Sequence, residues 1–192
     1  MGSFYTNLTL KGPGPDEVIK FMNDQKRKTF VSPLVNGCVL VFDEKCEEQD
    51  PKVMAAFAGE LSRQFKCLAW AVMNHDDDVL YYWLYQNGEK ADEYDSTPWF
   101  WDESLPREPK GGNAPKLAAA FGAPNQAAKV EAILRKEAQS ETGYALATER
   151  HTELLQALNL PLLAAGQGYE YLMQGDYQGD FDLASLARTG WE

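Results

Sequence analysis

Residues 30–44 read FVSPLVNGCVLVFDE, two β-rich runs that meet at Asn36–Gly37. An Asn-Gly pair between such runs is the strongest short hairpin signal a sequence carries, because both residues accept the positive φ of a type I′ turn. Pro33 has no amide hydrogen to give to a ladder, so its strand is expected at an edge or beside a bulge. Helical patterns flank this hairpin on both sides, and that placement decides the fold class. The order becomes strand, helix, hairpin, helix, strand, which is a split βαβ arrangement.

Upstream, SFYTNLTL (3–10) alternates, with Phe4, Thr6, Leu8 and Leu10 on one side. KGPGPD breaks the pattern and supplies Asp16 as an N-cap or first-turn acid. The spacing of Val18, Ile19 and Met22, with Phe21 at the stripe's edge, predicts a helix over 16–25. Downstream, CEEQDP ends the hairpin, and Val53, Phe57, Leu61 and Phe65 predict a second helix over about 51–66. CLAWAVMN (67–74) reads as a buried strand and HDDD (75–78) as an acidic, solvated turn. LYYWLYQNGEKADEY (80–94) then forms a second hairpin about Asn87–Gly88. A two-residue loop sets its register: Gln86 opposite Glu89, Tyr85 opposite Lys90, Trp83 opposite Asp92, Tyr81 opposite Tyr94. The expectation is therefore an α+β, ferredoxin-like βαββαβ antiparallel sheet with an extra hairpin.

Residues 1–103 make up the sheet domain. Residues 104–115, within DESLPREPKGGNAP, are rich in Pro and Gly and read as a linker. Residues 116–192 turn helical, with segments PKLAAAFGAP, AAKVEAILRKEAQ and GYALATERHTELLQALNLP. GQGYEYLMQGDYQGDFD (166–182) reads as loop with a short strand or turn, and the last ten residues as loosely attached. These Ala-rich helices lack a core of their own and need the sheet to dock on, so a single composite domain is expected.

The chain of 192 residues carries a net charge of −11, and the acidity is uneven. Residues 1–103 are net −8, and 76–103 hold nine acids against the single base Lys90. Such a field repels nucleic-acid phosphates and anionic lipid and favours a cationic partner. The rings of the second hairpin also lack the flanking Lys and Arg that stacking on RNA needs. No apolar run is long enough to cross a membrane. MGSFYT resembles a myristoylation signal, but one acyl chain beside acidic residues anchors weakly. The first ten residues alternate as a strand and lack the basic start and apolar stretch of a secretory leader. NLT at Asn7 has no meaning without secretion. Three cysteines, Cys38, Cys46 and Cys67, lack CxxC spacing and fit a reduced, cytoplasmic protein.

Chemistry-bearing motifs are sparse. Only His75 and His151 exist, far apart and without ligand spacing, so no metal site is expected. NHDDD lacks the spacing and glycine of a calcium loop. No nucleophile elbow, phosphate cradle or dinucleotide fingerprint appears, so neither cofactor nor catalytic residue is assigned. His151 sits on an apolar helix face with Ala147, Leu154 and Leu158, the setting of a hydrogen-bonded core histidine. TPWFWD (97–102) adds three rings after a Pro-bounded turn, and Trp leads the residues that anchor interfaces.

DDDVLYYWLYQNGEKADEYDSTP, together with LSRQF and LNLP…GYEYLMQGD, resembles sequences of uncharacterised bacterial proteins. The resemblance spans most of the chain. It implies a stand-alone bacterial cytosolic protein and supplies no catalytic residue. The leading functional expectation is an interaction module in which Tyr81, Trp83, Asp92, Asp95, Trp99 and Trp101 hold a basic protein partner, for example as an immunity-type inhibitor of a toxin. The alternative is an enzyme or small-molecule site between the sheet and the C-terminal helices, lined by Tyr residues, His151 and a carboxylate.

Overall fold

The computed structural model describes residues 2–138, 143–176 and 182–191. The elements run β1 (Tyr5–Lys11), α1 (Pro15–Asp24), β2 (Thr29–Val31), β3 (Cys38–Asp43), α2 (Pro51–Gln64) and β4 (Leu68–His75). The second hairpin follows as β5 (Val79–Gln86) and β6 (Glu89–Asp95), then β7 (Lys110–Gly111). The remainder is α3 (Ala114–Ala120), α4 (Ala127–Arg135), α5 (Ala147–Ala157), α6 (Tyr169–Gln174) and β8 (Ala187–Thr189). The protein is thus α+β, with a sheet of order β7-β6-β5-β4-β1-β3-β2-β8 in which every neighbouring pair is antiparallel.

Both hairpin turns follow from their Asn-Gly pairs. Asn36 and Gly37 have φ of 51° and 75°, and Asn87 and Gly88 have 53° and 88°, the positive values a type I′ turn requires. Strand β2 stops at Val31 before Pro33, and β8 pairs along its outer side. Pro33 therefore lies outside the strand, and β2 is not an edge. Residues 187–189, expected to be loosely attached, are the strand that closes this side of the sheet. At the other end, Lys110–Gly111 of the proline- and glycine-rich stretch pairs with β6.

The sheet is covered on both faces, so its central strands are largely apolar, as strands buried on two sides tend to be, with Thr6, Asn7 and Thr9 of β1 the buried polar exceptions beside Asn74 of β4. On one face Leu8, Leu10, Val39, Val41, Ala69 and Ala71 pack with Val18 and Met22 of α1 and with Met54, Phe57, Ala58 and Leu61 of α2. On the other, Leu40, Phe42, Trp70, Val72, Tyr82 and Leu84 share one cluster with Leu117 of α3, Leu134 of α4, Leu154 of α5 and Leu172 of α6. At ~1.5–3 kcal/mol for each large apolar side chain, both layers contribute heavily to stability. Where a loop or turn was expected around 169–174, the chain forms α6, whose C-terminus Gly175 closes in the left-handed region (φ 72°). The part of that expectation falling on 177–181, and the end of the predicted helix at Gln139, lie outside the described residues.

Two polar devices lock the C-terminal helices to the sheet. Arg150 of α5 is buried and donates to the Tyr94 hydroxyl and the Ile133 carbonyl (2.8 Å each), the Leu134 carbonyl (3.2 Å) and the Lys136 carbonyl (2.5 Å). Its guanidinium thus caps the C-terminal carbonyls of α4, where a cation also suits the helix dipole. Asp77, in the turn expected to be solvated, is buried and caps α5 instead. Its carboxylate accepts from the Thr148 amide (3.1 Å) and hydroxyl, the Ser3 amide (2.9 Å) and the Asn74 side-chain amide (3.0 Å). Burial raises its pKa, but the hydrogen bonds outweigh burial and the net value falls below the usual one.

Candidate functional site

The second hairpin departs from a simple two-residue-loop register at one residue. Tyr85 still faces Lys90, but Leu84 faces Asp92, so Ala91 is an extra residue that bulges out of β6. Beyond it every pair moves by one: Trp83 faces Glu93, Tyr82 faces Tyr94 and Tyr81 faces Asp95. Because directly opposed residues share a face, Asp92 is turned away from Tyr81 and Trp83. On the opposite side of the sheet Asp92 accepts from the Tyr82 hydroxyl (2.8 Å) and the Asn113 amide (2.7 Å). The bulge also stacks Tyr82 on Tyr94 at 5.3 Å, with planes 24° apart. The simple register corrects to this one because the tyrosine pair buries its rings against α4 and α5.

On the α1/α2 side, Tyr81 and Trp83 stand beyond the N-terminus of α2, their rings 4.4 Å apart. They form one wall of a cleft of about 680 Å³. The opposite wall is Phe4, His75 and Trp101. Phe4 meets His75 edge-on at 4.8 Å, and Trp101 lies 4.8 Å from the same imidazole. Met73 supplies the floor, and Glu47, Glu48, Gln49 and Pro51, leading into α2, supply the rim. Among the described residues no lysine or arginine lines it. Trp83 is only 4% exposed whereas Trp101 is 60% exposed, so the cleft has a fixed inner ring and an open outer one.

Second contacts hold these walls. The His75 Nδ1 pairs with the Gln49 side-chain oxygen at 2.6 Å, and the Gln49 amide nitrogen donates to the Asn74 carbonyl at 2.8 Å. Gln49 has a left-handed backbone (φ 56°), which lets the chain turn from β3 into α2 and brings Glu47 and Glu48 to the rim. Glu47 accepts from the Thr6 hydroxyl (2.7 Å), the Thr6 amide (3.2 Å) and the Glu170 amide (3.4 Å). Burial nevertheless pushes its carboxyl up to about 7, so it is divided between acid and carboxylate near neutral pH. Tyr81 is pushed up to about 12, by burial first and then by Glu93 and Asp95.

Of the six residues expected at a partner surface, the fold brings Tyr81, Trp83 and Trp101 into one cleft and sets Asp95 beside Tyr81. Asp95 caps the turn that carries the tryptophans, accepting from the Thr97 amide at 2.9 Å. Trp99 does not line the cleft; the Arg107 guanidinium covers its ring at 4.6 Å. Phe4, Glu47 and His75 were missed as site residues. The only sequence signal for Phe4 was its place on the Thr6–Leu8–Leu10 side of β1, and Glu47 and His75 carried none.

His151, by contrast, is fully buried on the other face. Its Nδ1 meets the Tyr5 hydroxyl at 2.9 Å, and burial lowers its pKa to about 3, which keeps it neutral. Among the described residues no three His, Cys, Asp or Glu side chains group as a metal site, and no helix is long and apolar enough to cross a membrane. Comparison with protein-family models, curated proteins and solved structures finds no match to this chain.

Proposed function

We propose that this protein is an interaction module that seats a cationic side chain of a basic partner protein in the aromatic cleft. The supporting observation is the lining itself: five rings, those of Phe4, His75, Tyr81, Trp83 and Trp101, with Glu47 and Glu48 at the rim and, among the described residues, no lysine or arginine. An ammonium or guanidinium over such faces gains ~0.5–2 kcal/mol from the ring quadrupoles. Asp95 stands opposite Tyr81 on the same wall and adds an acid there, while Glu93 is paired with Lys90 at 2.7 Å. An inhibitor that covers a cationic enzyme site belongs to this class of module. The β4-β1-β3-β2 order, with α1 and α2 on one face, supports reading the scaffold as a ferredoxin-like unit, extended by a hairpin and short strands. The hydrophobic cluster shared by strands and C-terminal helices supports one composite domain.

Titration of oligolysine and oligoarginine peptides, followed by tryptophan fluorescence, tests this reading. Saturable quenching that weakens with salt, with oligoglutamate inert, is the expected result. Trp101→Ala then costs ~1–2 kcal/mol, or about 5–30-fold in Kd. Equal responses to both peptide charges, or an unchanged Kd in the variant, would overturn it. A second reading, a small-molecule site beneath the C-terminal helices, is favoured by polar atoms around His151.

A further inference from the structure

On the face turned to the C-terminal helices, β1 presents Tyr5, Asn7 and Thr9, polar side chains where a covered strand ordinarily carries apolar ones. Thr9 lies opposite Trp70 across the β1–β4 ladder, and Asn7 lies opposite Val72. The His151 ring lies above them, stacked on Tyr5 at 5.8 Å and edge-on to Trp70 at 5.7 Å. Among the described residues, five buried polar atoms have no hydrogen-bond partner: Asn7 Oδ1, Thr9 Oγ1, Trp70 Nε1, His151 Nε2 and Gln167 Oε1. Folded proteins leave few such atoms, and five in one locality call for a partner.

Their chemistry constrains that partner. The Asn7 amide nitrogen donates to the Ala164 carbonyl (2.7 Å) and the Gln167 carbonyl (3.0 Å), which fixes the orientation and leaves Oδ1 as an acceptor. Trp70 Nε1 only donates. Thr9 serves either role, and so does His151 Nε2, which donates when the Tyr5 hydroxyl donates to Nδ1 and accepts when Nδ1 donates to that hydroxyl. A ligand must therefore offer an acceptor to Trp70 and a donor to Asn7. No ionised side chain is among the five groups, and the lowered His151 pKa has burial as its cause, so nothing here offsets a ligand charge. A groove of about 700 Å³ lined by Phe4, Thr148, Thr152, Gln167 and Tyr171 reaches the region at Gln167.

We propose that Asn7, Thr9, Trp70, His151 and Gln167 form an internal binding site for a small neutral amide- or lactam-type molecule, its carbonyl oxygen on Trp70 and its N–H on Asn7. The five polar atoms lie on the opposite face of the sheet from the rings of Tyr81 and Trp83, and Phe4 lines both the cleft and the adjoining groove.

The probe is 2-pyrrolidone, with 1-methyl-2-pyrrolidone as the control that keeps the carbonyl but lacks the donor. The expected result is a saturable rise in Tm with the first and none with the second. A crystal soaked in 2-pyrrolidone should show the ring oxygen on Trp70 Nε1. Thr9→Val, nearly isosteric and checked for folding by circular dichroism, should weaken the lactam at least tenfold, while Trp101→Ala leaves it unchanged. No rise in Tm, equal responses to both lactams, or ordered water alone bridging the five atoms would overturn the proposal.

Discussion

Replacing Glu47 with Gln removes a carboxyl that the fold carries at an unusual pKa. Burial between β1, α2 and α6 raises it from the ordinary 4.5 to about 7. Between those pH values the native chain keeps a proton that the unfolded chain has released. Stability therefore falls as pH rises through the window: the contribution is complete below 4.5 and lost above about 7. At ~1.4 kcal/mol per pH unit the full effect is ~3 kcal/mol, and solvent reaching the carboxylate along the cleft reduces it to ~1–3 kcal/mol. Gln is neutral throughout and has no such slope. Urea unfolding of both chains from pH 4 to 8 gives the difference directly, and shared groups, including the neutral His151 with its opposite slope, cancel. The Gln variant should gain ~1–3 kcal/mol on the parent across this range, with matching m-values. A difference that stays constant, or that moves against the variant as pH rises, refutes the assignment of a buried carboxyl at Glu47. A cation bound in the cleft favours the charged form, so binding near pH 7 should also release protons, measurable by calorimetry in buffers of different ionisation enthalpy.

Arg150→Met strips four hydrogen bonds from the end of α4 and from Tyr94, and should lower stability by ~3 kcal/mol in urea unfolding; a loss below ~1 kcal/mol contradicts the capping role. Asp77→Ala removes the acceptor of the Thr148 amide at the start of α5 and of the Ser3 amide, and should cost ~1–3 kcal/mol. Because hydrogen bonding holds the Asp77 pKa below its usual value, its contribution is present above the unfolded carboxyl pKa and is lost as pH falls through the folded one. Asp77→Asn should accordingly flatten the acid limb of the stability profile, and an unchanged limb counts against this.

The repeating elements were legible in the sequence because their signals are local. Both Asn-Gly turns, the alternation of β1 and the stripes of α1 and α2 each depend on neighbours a few residues away. The bulge at Ala91 was not legible, since Ala can sit in a regular strand and only the packing of Tyr82 on Tyr94 selects the slipped register. Nor was Asp77, one of three consecutive acids, of which tertiary structure buries this one beneath α5. Residues 187–189 read as loosely held because a three-residue strand has almost no pattern; its partner β2 lies some 160 positions away. The cleft shows the same limit. Tyr81, Trp83 and Trp101 are conspicuous in sequence, but Phe4, Glu47 and His75 join them only through the sheet order and the left-handed turn at Gln49.

The central claim is that the aromatic cleft receives a cation, and the five tryptophan indoles provide the reporters. Titrating a lysine- or arginine-rich peptide into ¹⁵N-labelled protein should move the indole resonances of Trp83 and Trp101 along a common saturation curve. Trp70, buried on the opposite face of the sheet, and Trp191, near the C-terminus, should stay in place. Movement of Trp70 or Trp191 without Trp83, or no indole movement with the peptide in excess, would contradict the account.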